Sequence, residues 1–174
     1  MLSSFALSVR LCCLLAVSFC ACYTVEAKKY PFSIDAIRNV CVSRSTQAGT
    51  KMVKVSACGR TADAAIEQAL LDAVVSLTFD GAQGLEEQEG CPAILYGGRE
   101  VYYQHKAYFD KFFKKGEFLH FVEKVNSTNP MGADNVKTKN GRRIQIQLIV
   151  NWKGLADRYK SNGLKTIVSE LSEY

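Results

Sequence analysis

The sequence predicts an α+β domain, a single-domain layer sandwich in which a mainly antiparallel sheet is packed by helices. In "TADAAIEQALLDAVVSLTF", Ala62, Ala65, Ile66, Ala69, Leu70, Ala73, Val74 and Leu77 recur at three- and four-residue spacing, the period of one helix face. In "RIQIQLIVNW", Ile144, Ile146, Leu148, Val150 and Trp152 alternate with Gln145, Gln147 and Asn151, the period of a strand with one dry face. "VSRSTQAGTKMVKVSA", flanked by Cys41 and Cys58, reads as two strands around a turn. Strand pair, helix, helix, strands, helix is the order of an α+β layer fold.

Residues 1–27 stand apart and have the form of a signal peptide. Arg10 is the only charge before Glu26, and the apolar run from Leu11 to Cys22 is shorter than the roughly 20 residues a helix needs to span a bilayer. Val25-Glu26-Ala27 offers small or medium residues where an exit peptidase inspects the chain, which gives a soluble product starting at Lys28. Ala21-Cys22 offers the alternative, cleavage before Cys22 with a lipid on that cysteine. Either cut leaves one α+β domain, 28–174 in the first case, long enough for a single core. The expected location is outside the cytoplasm, in a periplasm or at the periphery of an outer membrane.

Composition narrows the classes. With 48% hydrophobic and 22% charged residues the chain is no disordered tail, and a net charge of +5 is too small to argue for nucleic acid. Arg10 and Glu26 leave together with the leader, so that charge is unchanged. Four of the 7 cysteines lie in the leader, and the domain keeps Cys41, Cys58 and Cys91, too few for a disulfide scaffold. With Gly49-Thr50 as the loop of the first hairpin, Cys41 and Cys58 stand opposite each other, on the side away from Val40, Val42, Val53 and Val55. They are either a cross-strand disulfide or two half-buried thiols. Paired metal-ligand spacing is missing and there are only 2 histidines, so no metal or other cofactor is expected.

The remaining elements follow in order. Thr61 is placed to cap the long helix and Asp63 to meet its dipole, while Asp63, Glu67 and Asp72 read as solvated surface charges. Gly81 to Gly98 is rich in glycine and acids and reads as an irregular excursion. "YYQHKAYFDKFFKKG" predicts a helix with an aromatic stripe, stopped by Lys114, Lys115 and Gly116. "EFLHFVEKVN" predicts a strand, Asn126 to Asn140 a polar loop, and Asn140-Gly141 a turn into the last strand. A helix through Leu155 and Tyr159 breaks at Asn162-Gly163, before a last turn or two through Leu164, Ile167, Val168 and Leu171.

Catalytic signatures are sparse. "GGRE" at Gly97 to Glu100 is too short for a phosphate-cradling loop, and no "GxSxG" elbow occurs. His105 and His120 are the only imidazoles, and Glu86 and Glu87 sit in the excursion, where a fixed separation for acid and base chemistry is hard to hold. "NST" at Asn126 has the form of a glycosylation acceptor.

Together, "VKVSACGR", "TADAAIEQALLDAVVSL", "GEFLHFVEKV" and "RIQIQLIVNWKGLADRYK" resemble the amino-terminal domain of flagellar assembly protein T and the related bacterial envelope lipoproteins, over most of residues 38–160. That resemblance implies an exported α+β domain serving assembly or scaffolding rather than catalysis, and it carries over no individual functional residue. The Gly81 to Gly98 excursion and the aromatic helix lie outside its pattern.

The expectation is therefore an exported, non-enzymatic structural subunit of a bacterial cell-envelope assembly, such as a secretion system or a flagellar or outer-membrane complex. Its partners would be other envelope proteins, with a lipid on Cys22 as one route to the outer membrane. Tyr102, Tyr103, Tyr108, Phe109, Phe112 and Phe113 are its candidate contact patch if exposed, and core if buried. An alternative is a secreted module that binds an anionic partner through Lys137, Lys139, Arg142 and Arg143, with Lys51 and Lys54 nearby. A small periplasmic hydrolase is the third.

Overall fold

A computed structural model describes residues 29–45, 49–126 and 130–167. The predicted leader with Cys22, and the predicted last turn through Val168 and Leu171, lie outside the described residues. Six strands, β1 (Asn39–Ser45), β2 (Lys51–Gly59), β3 (Gln83–Gly84), β4 (Val122–Lys124), β5 (Asn135–Thr138) and β6 (Gly141–Val150), form one sheet in the order β3-β1-β2-β6-β4. β5 also pairs with β6, beyond the end of β4, and every pairing is antiparallel except β1 with β3. Among the described residues, four helices pack with the sheet: α1 (Ala62–Phe79), α2 (Arg99–Gln104), α3 (Lys106–Lys114) and α4 (Trp152–Ser161). The α+β layer fold predicted from the sequence is the fold observed.

The period-2 pattern places the sheet. Val53, Val55 and Ala57 of β2 pair with Leu148, Ile146 and Ile144 of β6, and all six are buried under α1. The intervening Lys54, Ser56, Gln145 and Gln147 point the other way and keep contact with solvent. β6 ends at Val150. Trp152 therefore opens α4 rather than continuing the strand, and the Asn151 side chain caps that helix by accepting the Gly154 amide at 2.8 Å.

α1 begins as expected: the Thr61 hydroxyl accepts the Ala64 amide at 3.1 Å, satisfying one of the free donors of the first turn. Thr61→Ala is expected to cost about 1 kcal/mol and to lower the thermal midpoint by about 3 °C in a melt followed by circular dichroism, with Thr61→Ser keeping most of both. From Leu71 to Phe79 every residue of this helix is buried. No surface helix is covered all round. The sheet covers one side and a second layer, made of α2, α3, α4 and the segment 30–34, covers the other.

That second layer is aromatic. Phe79 meets Phe109 at 4.9 Å between ring centroids, Phe109 meets Tyr159 at 5.9 Å, and Phe32 stacks on Phe113 at 4.6 Å. The Tyr159 hydroxyl lies 2.9 Å from the Thr78 hydroxyl, so a fully buried phenol keeps a partner, and burial holds it well above the ordinary tyrosine range.

Four local readings need correction. The aromatic helix is two helices, because the backbone bends at His105, and the bend lets Tyr102 and Phe109 both reach Phe79. "EFLHF" is a 3-10 turn (Glu117–Phe121) before a three-residue strand. A strand would place Phe118 and His120 on one face, whereas the tighter turn puts Phe118 and Phe121 inward, three apart, and leaves His120 exposed. The loop 126–140 contains β5. The excursion is anchored: Gln83–Gly84 adds a parallel edge to β1, and Ile94 and Leu95 are buried, their amides donating to Leu77 and Thr78 carbonyls at 2.8 and 3.1 Å.

Candidate functional site

Burial decides the predicted contact patch. Tyr102, Phe109, Phe112 and Phe113 belong to the core, Tyr108 is half-buried against it, and Tyr103 alone is exposed, at 54%. The stripe is core and not a docking face, because these rings form the wall that closes over α1.

The cysteine pairing is also corrected. Cys41 stands opposite Lys54, and Cys58 opposite Arg143 of β6. The two lie on the same face as expected, but Lys54 and Cys58 are four residues apart on β2, about 13 Å at strand rise, and a disulfide needs its α-carbons within about 7 Å. The strands pair from Ser45 and Lys51, with a register shift between Val42 and Arg44, in place of the pairing expected around Gly49-Thr50. All three described cysteines are free thiols, and burial pushes the Cys91 thiol up.

A hollow of about 770 Å³ lies between the segment 35–41 and the end of α1, with Asp80, Gly81, Cys91 and Arg99 on its far wall. Both of its arginines are paired. Arg99 holds Asp80 through two hydrogen bonds, at 2.6 and 2.9 Å. The Arg38 side chain is nearly enclosed: its guanidinium donates to the carbonyls of Ser33, Ile34 and Ala36 and pairs with Asp72 at 3.3 Å. Asp72, read from the sequence as a solvated charge, is thus a buried partner. Sequence spacing gave no signal for this pair, since thirty-odd residues and a strand hairpin separate its members. These contacts clamp the entering chain to α1, while Asp35 on the same lining accepts only the Tyr103 hydroxyl, at 3.2 Å, and has no ion pair among the described residues.

The opposite end of the sheet is different. β5 and β6 form a tight hairpin in which Thr138 pairs with Gly141, so Lys139 and Asn140 are the loop residues. Gly141 has φ +147°, and a Cβ there would come within 2.2 Å of the Gly59 carbonyl oxygen. Glycine thus lets the hairpin tip close onto the end of β2, bringing Arg60 beside it. Lys137, Lys139, Arg142 and Arg143 are all exposed, Lys137 directly opposite Arg142, and Arg60 is exposed alongside. Residues 135–143 carry no acid. Among the described residues, no ion pair within 4.0 Å engages any of these five cations. The hydrogen bond from Arg142 to the Asn135 side chain, at 2.8 Å, fixes one guanidinium along the hairpin without neutralising it.

Lys51 and Lys54, expected near this cluster, sit elsewhere. Lys51 pairs with Val150 at the far end of β2 and lies over Trp152, 5.7 Å from the ring centroid, and Lys54 lies mid-strand. Arg60 takes their place, a member that sequence reasoning missed because only the β2–β6 register brings it there. His105 and His120 are exposed on separate elements, and Glu86 and Glu87 are exposed in the anchored excursion. Asn126 is exposed as well.

An α+β layer domain with an uncompensated basic hairpin at one end of its sheet is the class that fold and site define. No protein-family model, curated protein or solved structure matches this chain.

Proposed function

We propose that this chain is an exported subunit of a bacterial cell-envelope assembly, of the kind found in secretion systems and in flagellar or outer-membrane complexes, and that it works by contact rather than by turnover. The observation that carries the reading is the basic hairpin: Lys137, Lys139, Arg142 and Arg143 are exposed with no acid among residues 135–143, and exposed Arg60 stands beside them. Such a surface attracts an anionic partner at long range and loses the attraction as salt rises. The leader at 1–27 supports export. With the aromatic stripe in the core, the hairpin replaces it as the contact surface.

The same hairpin suits a second reading, a freestanding secreted module for an anionic partner. The two differ in company, since a subunit co-purifies with neighbouring envelope proteins and a free module does not.

The test is fractionation of expressing bacterial cells. The expected product is a processed chain, its mature amino terminus at Lys28 or at a lipid-bearing Cys22 by mass, recovered with the envelope. A soluble start at Lys28 should be released by about 0.5 M salt, a concentration at which screening acts within roughly 4 Å. An unprocessed chain dissolved in the cytosol would overturn the proposal.

A further inference from the structure

We infer that the β5–β6 hairpin is a membrane-surface contact that seats on the anionic phosphate headgroups of a bilayer, an inference that rests on the contact reading above and names its anionic partner. The hairpin holds a repulsion of its own making. Lys137 faces Arg142 directly across the strand pair, like charges at cross-strand distance, an arrangement that weakens a hairpin unless an anion lies between. Arg143 projects from the open face of the sheet beside Val136, Lys137 and Arg142 project from the other, Lys139 occupies the tip, and Arg60 stands beside Gly141. Cations on both faces and at the tip of this corner of the sheet suit an extended charged surface better than a single small anion, which a groove would enclose.

Two further features select lipid among polyanions. The span 135–143 has no aromatic ring on which a nucleobase could stack, the usual means of holding single-stranded nucleic acid. Exposed apolar side chains flank the cations instead. Val136 lies within the hairpin, 37% exposed, and Met131, 78% exposed, lies in the turn that the Asn135 amide ties to β5 by donating to the Pro130 carbonyl at 3.0 Å. Apolar tips among lysine and arginine match the boundary between headgroups and acyl chains. Export places the domain beside such a surface.

The experiment uses the full chain and sedimentation with vesicles. The probes are phosphatidylcholine vesicles with and without about a third phosphatidylglycerol, in 50 and 500 mM salt. The leader contributes equally to every variant, so the salt-sensitive part of binding is what is read. Wild type should bind the anionic vesicles and lose most of that binding in high salt. Lys137→Gln/Lys139→Gln/Arg142→Gln should weaken it about a hundredfold, at roughly fivefold per cation. Lys115→Gln/Lys160→Gln/Lys165→Gln, which removes the same charge from exposed positions elsewhere, should weaken it less than fivefold. Circular dichroism melts of both triple variants check that each is folded. Equal losses in the two variants would reduce the effect to net charge and overturn the inference, as would salt-insensitive binding. Displacement by millimolar glycerol phosphate at constant ionic strength would identify a discrete phosphate site instead, and preference for an oligodeoxynucleotide over the vesicles would identify nucleic acid. Either result overturns the membrane assignment. Salt-releasable recovery with the envelope in cells, together with failure on protein-free vesicles, would overturn this inference while leaving the contact reading standing.

Discussion

Asp72→Ala is expected to destabilise the domain by about 3 to 5 kcal/mol, the usual cost of removing one partner of a buried ion pair. The Arg38 side chain is only 2% exposed and would keep its charge with carbonyls alone around it. Chemical denaturation at neutral pH should show the loss. Replacing both partners together, as Arg38→Met/Asp72→Leu, should recover part of it: the apolar pair needs no compensation for lost hydration, but the carbonyls of Ser33, Ile34 and Ala36 lose their donor. If the single and double variants are equally unstable, Asp72 matters through packing and not through charge.

The same carboxyl gives a pH dependence of unusual sign. Burial raises the Asp72 carboxyl above the ordinary aspartate range, and the Gln68 amide, which donates at 2.9 Å, and the Arg38 charge offset that only in part. The folded chain therefore holds this proton more tightly than the unfolded chain does. Its contribution to stability is full below the unfolded value, near ~4, and is lost as pH rises through the raised folded value. Asp72→Asn removes that loss, so between pH 4 and 7 the variant's stability should climb with pH more steeply than that of wild type. Parallel profiles in urea titrations would sink the assignment.

Phe109→Ala is expected to cost a similar amount, about 3 to 5 kcal/mol, and to lower the thermal midpoint by roughly 10 °C. Phe109 is fully buried and touches Phe79, Tyr102, Tyr108, Phe113 and Tyr159, so its removal opens a cavity at the meeting point of α1, α3 and α4. Phe109→Leu should cost much less, since most of the volume is kept. A melt that is unchanged in Phe109→Ala would mean that the stripe is not the wall over α1, and would return it to consideration as a contact face.

Much of this architecture is readable from residue order, because a repeating period reports which face is dry. The alternation of Ile144, Ile146, Leu148 and Val150 fixed β6, and the alanine-spaced run from Ala62 with Thr61 before it fixed α1. Segments of two to five residues are too short to show a period. Gln83–Gly84, the 3-10 turn at Glu117–Phe121 and the bend at His105 were hidden for that reason. Composition also could not say whether the aromatic stripe faces solvent, since a ring that anchors a partner and a ring that seals a core have the same spacing.

The candidate site divides in the same way. Lys137, Lys139, Arg142 and Arg143 are neighbours along the chain, and the turn that clusters them is legible from Asn140-Gly141, although its loop falls one residue earlier. Arg60 joins them only through the pairing of Gly59 with Arg142, and Lys51 leaves them because β2 carries it to the opposite end.

The sequence by itself determined the layer architecture, the helix cap, the inward faces of the long strands and the basic turn, all reported by residue patterns within a few positions of one another. Tertiary structure alone decided the strand register that separates Cys41 from Cys58, the burial of Asp72 against Arg38, and the enclosure of Phe109. Each of those depends on what arrives from a distant part of the chain, and desolvation, unlike periodicity, is a property of the assembled neighbourhood and not of any one segment.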